Sequence, residues 1–83
     1  MALRADGPQD PSVAELAEQA RDALRALACR SELEAFQELL DLSRLAGECL
    51  GESARTLAAH SSWSQVAGVA GTTKQAAWSR WRG

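Results

Sequence analysis

Three Ser-x-x-(Glu or Gln) patterns punctuate this chain: Ser12-x-x-Glu15, Ser31-x-x-Glu34 and Ser62-x-x-Gln65. In each, the serine hydroxyl can accept from a free backbone N–H of a helical first turn, while the acid or amide reaches back to the serine's own N–H. Three helix starts in 83 residues constrain the fold to short helical segments with brief connections. The composition agrees: alanine is abundant and only four side chains are aromatic, which favours helices and disfavours strands. The expected class is all-α, with four helices. Two lie in the N-terminal part, one of them long, and two short ones follow.

Residues 1 to 10 show no apolar periodicity and are expected to form a flexible tail. After Ser12, the residues Val13, Leu16, Ala17, Ala20, Leu24 and Leu27 recur at three and four, the spacing of one buried helical seam. Glu18–Arg21 and Asp22–Arg25 on the other side are candidate ion pairs. The second pattern predicts a long helix from about residue 31 to 59, with Gly51 as the expected break. Its apolar face is broader than the first helix alone can cover. A chain this short also buries little surface by itself. Leu33, Phe36, Leu39, Leu40, Leu42 and Leu45 are therefore candidates either for an intramolecular core or for a homodimer interface shared with the first helix. The homodimer is the preferred expectation, which makes residues 11 to 60 a helical dimerisation region.

The third pattern opens a helix over about residues 63 to 70. Gly71 then stands where a left-handed backbone is needed, and Thr72 or Thr73 can cap a last helix running to about Arg82. Residues 61 to 83 thus have the outline of a helix-turn-helix. Ala67 and Gly68 are small enough for a close crossing, and Val66, Ala70, Ala77 and Trp81 can fill the wedge; Trp63 is also expected in the core. The opposite face carries Gln75, Trp78, Ser79 and Arg82, with Lys74 at its margin.

Charge is unevenly spread. Residues 1 to 50 hold ten acids against five arginines, whereas residues 51 to 83 hold four cations against Glu52 alone, and no acid lies beyond it. The C-terminal part is the end suited to a polyanion. No stretch has the roughly 20 apolar residues of a membrane span, and the N-terminus lacks the apolar core of a signal peptide. A cytoplasmic location is expected, with Cys29 and Cys49 reduced and buried as small hydrophobes or, alternatively, forming an intermolecular disulfide. With one histidine, His60, they cannot supply four zinc ligands; His60 itself suits the C-terminal end of the long helix. No nucleophile–base arrangement, paired-carboxylate site or phosphate-cradling loop is legible, so neither an enzyme nor a cofactor or metal is expected.

The segment Ser62-Trp63-Ser64-Gln65-Val66-Ala67, followed by Gly71-Thr72-Thr73-Lys74-Gln75-Ala76-Ala77-Trp78, resembles the helix-turn-helix of small actinobacterial DNA-binding proteins. The likeness is close over about a quarter of the chain. It departs at Thr72, where the family has valine, and at Arg80, near a position usually apolar. The resemblance implies sequence-dependent binding of double-stranded DNA with the last helix in the major groove. The chemistry of the residues suits that role: Lys74 and Gln75 are expected at base edges, and Ser64, Thr72, Thr73 and Arg82 on the backbone, with Trp78 and Ser79 on the same reading face. A small dimeric transcriptional regulator or architectural factor, nucleoid-associated, is the leading expectation. The alternative is an adaptor that docks other proteins through the helix-turn-helix or the leucine-rich helix, including the transcription machinery. The acidic N-terminal helices are a further candidate surface for a protein partner.

Overall fold

A computed structural model describes residues 10–83. The fold is all-α: α1 (Val13–Ala28), α2 (Leu33–His60), α3 (Trp63–Ala70) and α4 (Lys74–Trp81). The tail expected over residues 1 to 10 lies outside the described residues except for Asp10, which is exposed. The chain divides into two compact units, Met1–Leu39 and Leu40–Gly83, and α2 contributes to both.

In the first unit, α1 begins as its sequence dictates. The Ser12 N–H donates to Glu15 Oε1 at 2.9 Å and the Glu15 N–H donates to Ser12 Oγ at 3.1 Å, so both halves of the capping box form. The Glu18–Arg21 and Asp22–Arg25 pairs are not among the ion pairs of the described residues. The expected seam is amphipathic but not buried. No α1 residue is buried, Ala17 and Leu27 are half-buried, and Val13 is 85% exposed. A 16-residue stripe cannot bury itself without a second apolar surface. Around the elbow that follows, Leu27 and Ala35 line one small cavity of about 210 Å³ with Arg30 and Glu32, and Ala35 is buried there.

α2 starts at Leu33, later than the Ser31 box predicts. The elbow is held instead by Arg30, whose Nε and Nη2 donate to the Glu32 carboxylate at 3.0 and 2.5 Å. That contact, more than the backbone hydrogen bond beside it, holds the Glu32 carboxyl below the usual carboxylate range. The helix then runs unbroken to His60, which occupies its last turn as expected.

The break expected at Gly51 does not occur. Gly51 is buried in the second unit, and a Cβ built there would lie 3.3 Å from Arg55 Nη1 and 3.7 Å from Trp81 Cδ1. A Cβ there would be in ordinary contact with Trp81 and tight only against the Arg55 guanidinium, and the hydrogen bonds of the surrounding helix outweigh the roughly 1 kcal/mol propensity cost of glycine. Outside this crossing, Arg44 bridges Asp41 and Glu48 on the polar side of α2, with 3.2 Å to Glu48. These carboxylates, Asp41 first, push the Arg44 guanidinium further toward its charged form.

The core of the second unit is small: Ala54 of α2, Val66 and Ala67 of α3, and Ala77 of α4, flanked by Ala58, Trp63 and Trp81. Two positions depart from expectation. Ala70 is exposed and not in the wedge, and Gly68 is exposed with open space where a Cβ would go, so the close approach falls on Ala67 alone. Both cysteines are exposed free thiols and not buried hydrophobes. Cys29 sits at the C-terminal cap of α1, and Cys49 lies off the α2 face that meets α3 and α4. Among the described residues no helix is long and apolar enough to cross a membrane.

Candidate nucleic-acid interface

The α3–turn–α4 segment is defined by caps at every end. Ser62 is extended, and its Oγ accepts from the Gln65 N–H at 3.2 Å. The reciprocal half of this box is replaced: the Ser61 hydroxyl, one residue earlier, hydrogen-bonds the Gln65 side chain. α3 ends at Gly71, which has φ 72 and ψ 35, the left-handed conformation the sequence requires there. The N–H groups of Gly71 and Thr72 both reach the Ala67 carbonyl, the latter at 3.0 Å. Of the two candidate caps, Thr73 is the one used, accepting the Ala76 N–H at 3.1 Å.

This turn lets two eight-residue helices pack directly on each other. Ala77 is completely buried, at 0% exposure, against a surface that includes Val66 and Ala67. Burying Ala77 orients the whole of α4. Gln75, Trp78, Ser79 and Arg82, spaced at three and four, share the surface turned away from it, with Lys74 in the first turn. All five are exposed, as are Ser64, Thr72 and Thr73. Trp78 retains 43% exposure with the Arg82 guanidinium carbon 4.9 Å from its ring centroid. The cap residue of α4 thus lays its cation against the ring.

Arg80 projects to the other edge of α4, with its guanidinium carbon 5.2 Å from the Trp81 ring centroid. Near a position where the resembled motif prefers an apolar side chain, it stays out of the core while Trp81 packs there. Sequence reasoning missed Arg55. Its Nη1 donates to the Trp81 carbonyl at 3.0 Å, tying α2 to the free carbonyl end of α4. A cation at a helix C-terminus has a physical reason, but the 26 residues between the partners leave no sequence signal for it.

The candidate dimer residues are uncovered to different degrees. Leu33 is 82% exposed; Phe36, Leu40 and Leu45 are also exposed, and Leu39 and Leu42 are half-buried. Among the described residues no group of three or more potential metal ligands is brought together. Comparisons with protein-family models, curated proteins and solved structures returned no match.

Proposed function

We propose that the chain is a sequence-dependent DNA-binding protein, a small transcriptional regulator or architectural factor acting on the nucleoid, that inserts α4 into the major groove. The observation that carries this reading is the orientation of α4. Ala77 is buried while Lys74, Gln75, Trp78, Ser79 and Arg82 are presented outward, on a segment with no acid from residue 62 to the end. An eight-residue helix is about 12 Å long, comparable with the width of the major groove. Gln75 offers the paired donor and acceptor that suit adenine, and Lys74 suits guanine. The hydroxyls of Ser64, Thr72 and Thr73 suit phosphate oxygens, as does the Arg82 guanidinium.

The reading includes a homodimer through Leu33, Phe36, Leu39, Leu40, Leu42 and Leu45, because one copy offers few cations. With Arg82 from each of two copies, about two phosphates are neutralised. The salt slope is then roughly −1.8, and affinity falls about 12-fold between 50 and 200 mM salt. Two-fold symmetry favours half-sites one helical turn apart, about 34 Å, or a multiple of it. No catalytic residue, cofactor or metal is assigned.

Gel-shift titrations across a salt series test the reading. Lys74→Glu should abolish binding, and Gln75→Ala should relax sequence preference at one base pair. Binding to no duplex, or binding indifferent to both substitutions, overturns it. The adaptor reading is favoured by one observation, the exposed α2 leucines; a protein partner retained at high salt with no DNA shift would select it.

A further inference from the structure

One large apolar group stands in an otherwise polar surface of α4. Trp78 is 43% exposed, and the residues that share its side, Gln75, Ser79 and Arg82, are polar and exposed, as is Lys74 in the first turn. The main apolar concavity of the second unit lies elsewhere: an open cleft of about 440 Å³ has Leu50, Leu57, Val66 and Trp81 in its walls, and Trp78 is not among them. We propose that Trp78 is a specificity-determining residue that reads the 5-methyl group of a thymine in the major groove. This assignment rests on the proposed insertion of α4 into DNA, and it names the base that the helix selects beside the adenine suited to Gln75.

The chemistry of the groove leaves one partner for the ring. Base edges in the major groove present hydrogen-bond donors and acceptors and a single apolar group, the thymine methyl. Covering the edge of guanine, adenine or cytosine with an indole would leave those donors and acceptors unpaired. Against a thymine methyl the same ring removes apolar surface from water on both sides.

Position and order agree with this partner. Trp78 follows Gln75 by three residues, about 4.5 Å along the helix, on the scale of the roughly 3.4 Å step between base pairs. The thymine therefore belongs to the pair read by Gln75 or to an adjacent one. The Arg82 guanidinium carbon lies 4.9 Å from the ring centroid, so the indole is held from its own helix before DNA arrives and little rotamer freedom remains to be lost on binding. Stacked there, the planar guanidinium keeps donors at its edge for a phosphate.

The test uses the full-length chain and a duplex that it enriches from a randomised pool, resynthesised with deoxyuridine in place of each thymidine in turn, which removes only the methyl. At one thymine per half-site, affinity should fall about fourfold, the effect of one buried methyl. Trp78→Ala should bind the thymine and uracil duplexes equally with helix content unchanged, and Trp78→Phe should keep the preference. Equal affinity of the parent protein for the thymine duplex and every uracil duplex overturns the assignment of Trp78 and leaves DNA binding standing. A preference that persists in Trp78→Ala does the same. The deoxyuridine series on the parent protein decides even where the alanine variant fails to fold. No enrichment and no shift with any duplex overturns both the thymine contact and the DNA-binding function.

Discussion

Gly68 and Gly71 lie three residues apart, and the same substitution should move stability in opposite directions at the two. Gly68 is inside α3 with a right-handed helical backbone, and a Cβ there would meet no atom within 4 Å. Gly68→Ala therefore replaces a poor helix former by the best one without a clash, a gain of up to about 1 kcal/mol. Gly71 also has open space, but its φ is 72. A side chain in that region costs about 1–2 kcal/mol in steric strain. Reduced freedom of the unfolded chain returns roughly 0.4–1 kcal/mol, so Gly71→Ala should destabilise by about 0.5–1 kcal/mol. The two variants should then differ by roughly 0.5–2 kcal/mol, or about 2–16 °C in melting temperature for a domain of this size. Thermal unfolding followed by far-ultraviolet circular dichroism, at one fixed protein concentration, measures the difference. If Gly71→Ala melts with or above Gly68→Ala, the left-handed turn is not the element that closes α3, and the orientation of α4 derived from it fails.

The remaining expectations concern the packing and the caps. Ala77→Leu forces three extra carbons into the fully buried contact between α3 and α4 and should cost about 1–3 kcal/mol, while Ser79→Ala on the exposed side should stay within about 0.5 kcal/mol in urea unfolding. Thr73→Ala removes the acceptor for the Ala76 N–H and should cost about 1 kcal/mol, with Thr72→Ala nearly neutral; the opposite ranking would assign the cap to the wrong threonine. Arg55→Met keeps the aliphatic stem but loses the bond to the Trp81 carbonyl, so C-terminal amide exchange should accelerate while the Ala77 amide stays protected. At the elbow, the Glu32 carboxyl should titrate below the ordinary glutamate range by NMR and return toward it in Arg30→Gln. Because its folded-state pKa is depressed, the stabilisation it provides is present above the unfolded carboxylate pKa and is lost as pH falls through the lowered one.

Local chemistry made much of this molecule legible. The Ser12 box, the span of α3, the turn at Gly71 and the cap supplied by a threonine before α4 all depend on interactions within a few residues, and the sequence states them directly. The periodicity of residues 74 to 82 likewise separates an apolar side from a polar one, which is why the candidate reading residues could be named from their spacing. What periodicity cannot state is what covers an apolar side. The α1 stripe reads as a buried seam yet is uncovered, and Ala70 reads as wedge yet is exposed.

By itself, then, the sequence determined the all-α class, the capped ends and the faces of the helices, because hydrogen bonds to a first turn and a 3.6-residue repeat act over short distances. Only the tertiary structure decided that α2 runs unbroken through Gly51, that Ala67 and Ala77 make the α3–α4 contact, that Arg55 holds the end of α4, and that both cysteines face solvent. Each of these depends on which surfaces meet across many residues of chain. Spacing along one helix carries no record of the helix that will pack against it.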